Sequence, residues 1–240
     1  MTQAIAFSEQ LANQIENMQG QPKREKTRAK ILAATAKQLE KVGYDALTVD
    51  DIIHEVGMAR GTFYIYFENR SFAVEAVMMA YFKALSENRP KVTGHDPFDA
   101  IMEFNRYYVA NYARNSALVA CIEPLCRERQ EISQLRQQGN HDWCQSVVRD
   151  LEKRCGDAAL QTPAAVKTLL IWSMSSLVDE LLREMYINKS PHLAELTDNT
   201  DQVAELISLV WFRALYAQDV DASKLQWAQS LANVRLLHPD

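Results

Sequence analysis

The stretch Leu47–Phe67, LTVDDIIHEVGMARGTFYIYF, constrains this chain more than any other part of it. Thr48 stands just before Val49-Asp50-Asp51-Ile52-Ile53, where its hydroxyl can cap a first helix whose opening turn carries two carboxylates at the positive dipole end. Gly57 stops that helix. A second short helix follows over about residues 59–66, and Gly57-Met58 between them is the length of a turn that sets paired helices at a steep angle. That is the geometry of a helix-turn-helix, which reads DNA.

Spacing gives the facing of the second helix. Phe63 and Phe67 fall one above the other and, with Ile52, Val56 and Met58, form the expected inner face. Gly61, Thr62 and Ile65 lie opposite. An exposed glycine lets backbone approach a phosphate, a threonine hydroxyl can donate to phosphate or touch a base edge, and an exposed isoleucine can meet a thymine methyl. Arg60, at the helix start, can pair its planar fork with guanine or hold a phosphate. Tyr64 and Tyr66 flank the same surface, and Arg70 adds a cation before the next helix. A glycine-turned corner also occurs in helical proteins that bind no DNA, so its surroundings decide. They include the basic run Lys23-Arg24-Glu25-Lys26-Thr27-Arg28-Ala29-Lys30 leading into a helical pattern, and Ser71-Phe72, which reads as the cap of another helix.

These residues carry a resemblance. Thr27-Arg28-Ala29-Lys30-Ile31-Leu32-Ala33-Ala34, Val42-Gly43-Tyr44, Leu47-Thr48-Val49 and Ile52, then Gly57 through Phe67 and Arg70, resemble the amino-terminal domain of the tetracycline-repressor (TetR) family over about residues 24–85. The resemblance implies an all-α, dimeric, ligand-responsive transcription factor, usually a repressor, with a helix-turn-helix domain and a helical-bundle domain for ligand and dimer. Matched residue by residue, Thr48, Arg60, Gly61, Thr62, Tyr64, Tyr66 and Arg70 fall where the family contacts operator DNA; Ile65 joins them from the facing argument alone. Tyr66 stands where the family often has histidine and Arg70 where it usually has lysine. Both can still meet phosphate, so these departures leave the operator sequence open.

The formal charge of −5 looks wrong for a DNA binder until it is divided along the chain. From Lys23 to Arg89 there are eleven Lys or Arg against nine acids, a net +2, so the rest of the chain carries −7. A basic head on an acidic body favours orientation at DNA over raw affinity, and binding is expected to weaken as salt rises. Hydrophobic residues make up 48%, yet no apolar run approaches the ~20 residues that cross a bilayer. No secretory signal pattern opens the chain, and a cytoplasmic protein is expected. Cys121, Cys126, Cys144 and Cys155 fit no zinc or disulfide spacing; they read as packing residues, with a redox switch as the alternative.

The remaining chain divides into residues 1–22, an amino-terminal extension; 23–88, the DNA-binding domain; and 97–240, the ligand and dimer domain. In the extension Phe7, Leu11, Ile15 and Met18 recur at helical spacing before Gly20-Gln21-Pro22. This describes either an extra helix docked on the body or a partly ordered arm. Helix one, about Lys26 to Val42, turns Ile31, Leu32, Thr35, Ala36, Leu39 and Val42 inward and ends at Gly43. A later helix from Ser71 towards Glu87 carries Val74, Val77, Met78, Tyr81 and Leu85 on one face; Pro90, Gly94 and Pro97 then break the pattern.

Helices are expected at about 97–113, 116–129, 131–154, 163–188 and 201–217, with no phosphate loop, metal-ligand spacing or nucleophile beside a base. No enzyme, metal or cofactor is therefore expected. Val166, Leu170, Ser173, Met174, Leu177 and Leu181 share one stripe, and Val203, Leu206, Ile207, Val210, Trp211 and Ala214 another. The resemblance implies that these last two helices (163–188 and 201–217) pair with their symmetry mates as a homodimer; the alternative is that both stripes serve the monomer's own core. A small-molecule effector is also implied. Phe104, Tyr107, Tyr108, Tyr112, Trp143, Trp172 and Met174 supply large side chains, but a helical core needs such residues anyway, and none is assigned to a pocket. The expected partners are operator DNA, a second copy of the chain and the effector, with no membrane. The alternatives are a regulator acting through a partner protein and, more remotely, a helical enzyme.

Overall fold

A computed structural model describes residues 5–90, 96–155 and 162–231. Among these residues the regular structure is helical: α1 (Phe7–Glu16), α2 (Lys23–Ala46), α3 (Val49–Val56), α4 (Arg60–Tyr64), α5 (Arg70–Glu87), α6 (Pro97–Arg114), α7 (Ser116–Ala120), α8 (Ile122–Glu128), α9 (Gln130–Cys155), α10 (Ala164–Tyr186), α11 (Ala194–Thr197) and α12 (Thr200–Tyr216), with short 3₁₀ turns between and after the last of them. No described helix is long and apolar enough to cross a membrane. The expected break at Gly94 lies outside the described residues. The chain forms two compact units, residues 1–88 with 114–137, and residues 89–113 with 138–240.

In the first unit, α2 is the central element, packed against α1, α3, α5 and α7. Ile31, Leu39, Ile52, Phe63, Val77, Met78, Leu118, Leu125 and Ile132 are all buried in one core. The inward residues expected of helix one are buried apart from Val42, which is 37% exposed. Immediately after it Gly43 adopts φ 74°, ψ 177°, so the helical path breaks there and resumes for one short turn to Ala46.

The amino-terminal extension forms a helix, and it docks within the first unit instead of on the carboxy-terminal body. Phe7 and Leu11 are buried in the core, the Phe7 ring meets Tyr81 edge-on at 5.4 Å, and the Phe7 amide donates to the buried Asn115 side chain at 2.7 Å. Arg114 pairs with Glu9 at 3.0 Å. The expected helix over 116–129 is two, α7 and α8, joined at Cys121. Burial pushes the Cys121 thiol up to about 12 and also raises that of Cys144, which disfavours the reactive thiolate at both. The Cys155 side chain lies outside the described residues.

In the second unit, Phe98, Leu209, Phe212, Val220 and Leu225 form a core. The buried Glu205 carboxylate accepts from the amides of Gln226, Trp227 and Ala228 at 2.7–2.8 Å, so one side chain on α12 fastens the segment that follows it. Asn105 donates to Ser208 at 3.0 Å across the same interior. Of the stripe expected on α10, only Met174 is buried: Val166, Leu170, Ser173 and Leu177 are exposed and Leu181 is half-buried, while the buried side is formed by Ile171, Val178, Leu182 and Met185 and Leu169 is 68% exposed. On α12, Val203, Ile207 and Trp211 are buried and Val210 is exposed.

Gly43 yields a direct test of the kink. Its φ and ψ fall where only glycine rests without strain, and a Cβ there would meet nothing within 4 Å. Gly43→Ala is therefore expected to cost about 1–3 kcal/mol from backbone strain alone, read as a lowered denaturant midpoint at unchanged m-value; an unchanged midpoint contradicts the strained geometry.

Candidate nucleic-acid interface

The corner is built by local chemistry. Thr48 is extended and caps α3: its hydroxyl accepts from the Asp51 amide at 3.1 Å and donates to Asp51 Oδ2 at 2.6 Å, while its own amide donates to the same oxygen at 2.8 Å. This is a capping box with aspartate in the third helical position. At the other end Gly57 takes the left-handed conformation, φ 73°, ψ 45°. Its amide donates to His54 O and Ile53 O, and that of Met58 to Ile53 O at 3.1 Å. These paired bonds satisfy the last carbonyls of α3 and turn the chain sharply, and a residue with a Cβ resists that conformation. Between α2 and α3, Glu55 accepts from Lys37 at 2.5 Å and from Gln38 at 2.8 Å.

α4 is only five residues long, shorter than the 59–66 expected. The bonds from Tyr66 N and Phe67 N to Phe63 O, at 2.9 and 3.1 Å, nevertheless carry the turn on to Phe67. Phe63 is fully buried and Phe67 nearly so, their rings 5.9 Å apart, with Val56 and Met58 packed against the same core. The inner face matches the one read from spacing.

The outer face gathers most of the expected residues. Arg60 and Gly61 are exposed, Tyr64 is 47% exposed, and Ile65 67%. A Cβ at Gly61 would meet nothing within 4 Å, so its backbone is open to close approach. Thr62 is half-buried beside them. Arg60 Nη1 lies 2.8 Å from both oxygens of Asp50. Hydrogen bonding to the Tyr64 hydroxyl and to Asp50 raises the Arg60 pKa further. The arginine at the head of the second helix is thus oriented by one residue of each helix.

Three of the expected residues are used differently. Thr48 is exposed, but its hydroxyl is engaged in the capping box. Tyr66 is half-buried against the core. Arg70 is turned onto backbone: Nη1 donates to the carbonyls of Tyr44 at 2.6 Å, Leu47 at 2.8 Å and Asp45 at 3.3 Å, and its guanidinium carbon lies 4.9 Å from the Tyr44 ring centre. It holds the α2–α3 turn that the corner starts from. Arg28, by contrast, expected only as part of a basic run, stands 5.5 Å over the Phe67 ring. Its cation lies at the end of the second helix. The sequence signal for it was an arginine in the basic stretch, without the ring that positions it. Among the described residues no three His, Cys, Asp or Glu cluster to hold a metal ion.

A capped, glycine-turned pair of helices whose second member exposes arginine, glycine and tyrosine defines the class: a helix-turn-helix DNA-binding domain. Residues 31–72 match the family described as bacterial regulatory proteins, tetR family. The match covers the helix-turn-helix and the start of α5, and it supports reading this domain as the DNA-binding part of a TetR-type transcriptional regulator. No curated protein matches the chain.

The capping box is expected to be pH-dependent. Hydrogen bonds from the Thr48 hydroxyl and amide hold the Asp51 carboxyl below its usual range. A depressed folded value means that the box contributes fully above the unfolded value of about 3.9 and is lost as pH falls through the lower folded one. Thr48→Ala should therefore cost about 1 kcal/mol near neutrality, and progressively less as pH falls below the unfolded aspartate value and the wild type loses the aspartate's share. A cost in denaturant titrations that stays constant from neutrality down to the acid limit of folding would remove Asp51 from the cap.

Proposed function

We propose that the protein is a dimeric repressor that binds a palindromic operator through α4 and is released by a small molecule held in its second unit. The observation that carries the DNA-reading part is the exposed row Arg60, Gly61, Tyr64 and Ile65 on a helix anchored from behind by Phe63. In this reading Arg60 exchanges Asp50 for a guanine edge or a phosphate. Thr62 and Tyr64 meet phosphate or base edges, and Ile65 meets a thymine methyl. Tyr66 contributes at the margin, Thr48 and Arg70 fix the corner, and Arg28 adds a phosphate contact. The chemistry is recognition, without an enzymatic step.

The dimer rests on a second observation. Val166, Leu169, Leu170 and Leu177 on α10 and Val210 on α12 are large apolar side chains left exposed. On α10, Val166, Leu169 and Leu170 fall within about one turn and Leu177 lies two turns beyond Leu170 on the same side, with the small Ser173 between them, an apolar patch of the kind that marks an interface. A second copy covering this patch would place two reading helices about a two-fold axis, and a pseudo-palindrome with half-sites one DNA turn or a multiple apart follows. Release by an effector rests on family resemblance; the second unit offers a stacked aromatic series, with the Phe104 and Trp143 ring centres 4.4 Å apart and Phe104 and Tyr108 5.9 Å.

Selection of bound duplexes from a random pool by the purified protein tests the reading. A palindromic consensus is expected, and it supplies the probe for screening effectors by release. No enrichment over non-specific binding would sink the sequence-specific regulator and favour an adaptor working through another protein. Arg60→Ala is expected to weaken binding to the consensus by about 1–3 kcal/mol and to relax one base position; a uniform loss on all sequences would assign it to phosphate. Leu169→Lys with Leu177→Lys is expected to give a folded monomer in analytical ultracentrifugation with much-reduced operator affinity, and a persistent dimer would place the interface elsewhere.

A further inference from the structure

The helix-turn-helix is bracketed by two short segments, residues 44–47 before α3 and residues 69–72 at the head of α5. One carboxylate reaches both. Glu128, the last residue of α8, accepts through Oε2 from the Tyr44 hydroxyl at 2.7 Å and from the Ser71 hydroxyl at 2.5 Å. Its Oε1 lies 3.7 Å from Arg70 Nη2. Arg70 in turn donates to the carbonyls of Tyr44, Asp45 and Leu47, and Leu47 immediately precedes the cap residue Thr48. On the other side, the Asn69 side chain accepts from the Ser71 and Phe72 amides at 2.9 and 3.3 Å and so starts α5. The following residue of the same segment completes the grip: Arg129 pairs with Glu75 at 2.9 Å and lies 3.8 Å over the Phe72 ring.

The polar contacts of both brackets therefore meet at the end of α8. Three hydroxyl or guanidinium donors from both brackets converge on Glu128, and Arg129 grips α5 again one turn further on. A carboxylate is suited to this task, because it alone among side chains accepts two hydroxyl hydrogen bonds while offsetting a neighbouring guanidinium. Leu125, fully buried one turn earlier, seats α8 in the core.

We propose that Glu128 is a positioning residue for the DNA-reading face: by holding Tyr44, Ser71 and Arg70 together it fixes both ends of the helix-turn-helix, and withdrawal of α8 loosens the face without unfolding the unit. This rests on the DNA-reading role proposed for α4.

The test uses the full chain with Glu128→Ala, Glu128→Gln and Tyr44→Phe, the last keeping the test open if the alanine variant does not fold. Each is measured for affinity to the duplex selected by the wild type, for thermal midpoint, and for amide exchange at Ile52, Ile53 and Phe63 against Leu32 and Leu39 in α2. Glu128→Ala is expected to lose at least tenfold in affinity and to speed exchange at the three corner amides at least tenfold, leaving the two α2 amides unchanged. Glu128→Gln, which keeps an acceptor but loses the charge, and Tyr44→Phe should fall between. Wild-type affinity in Glu128→Ala overturns the proposal, as does faster exchange spread evenly over α2 and the corner, which would make Glu128 an ordinary stabilising residue. If the wild type itself selects no duplex, the DNA-reading role fails, and the exchange pattern alone still decides whether Glu128 holds the corner.

Discussion

The burial of Phe63 is the contact on which the reading head depends. A five-residue helix has too few internal hydrogen bonds to persist alone in water, so the orientation of α4 is decided by what its inner side fits. Burying a phenylalanine side chain is worth about 1.5–3 kcal/mol, more than the propensity of so short a segment can supply. Phe63 sits against Ile52 and Phe67 in the core. With that side fixed, helical geometry leaves Gly61, Tyr64 and Ile65 no direction except outward. The exposed isoleucine is costly for a surface with no partner, and that cost is consistent with a face shaped for something other than water.

The second constraint is that the corner is held at its ends by groups distant in sequence. Tyr44 and Glu128 are separated by 84 residues and Phe7 and Asn115 by 108. Segment 114–137 thus belongs physically to the amino-terminal unit, although its position in the chain groups it with the body. The arginine at position 70 shows the consequence. A cation close to a reading helix reads as a phosphate ligand, yet three unpaired carbonyls at the end of α2 are nearer, and a buried carbonyl without a donor costs free energy in every molecule, bound or free.

What was legible in the sequence is what local physics determines. The threonine cap, the glycine at the αL position and the 3.6-residue period each act over a few residues, so the corner and its inner and outer faces follow from Thr48, Gly57 and Phe63 directly. Three features were not legible for a physical reason. α2 runs past a kink at Gly43 to Ala46, and the pattern carries no sign of the φ that glycine will choose. The wide apolar stripe on α10 holds both a buried and an exposed row; periodicity measures amphipathicity and does not say which neighbour covers which side. Arg28 and Arg70 exchange importance because the ring or carbonyl that captures a guanidinium is set by tertiary contact, which charge counting does not see.

The electrostatics of the outer face follow from the same economy. In the free protein Arg60 is already paired with Asp50, both largely exposed, so the face carries little net attraction of its own. Contact with DNA through Arg60 would exchange one charged hydrogen-bonded pair for another, and the net gain from such an exchange is small. Discrimination is where the exchange acts. A site offering guanine O6 and N7 replaces the carboxylate bond for bond, whereas a site lacking them leaves an arginine and an aspartate separated and underpaired against the duplex, a penalty that falls only on the wrong sequence. On the proposed reading, the modest basicity of the head would supply the long-range attraction and the Asp50–Arg60 pair would convert that attraction into selectivity.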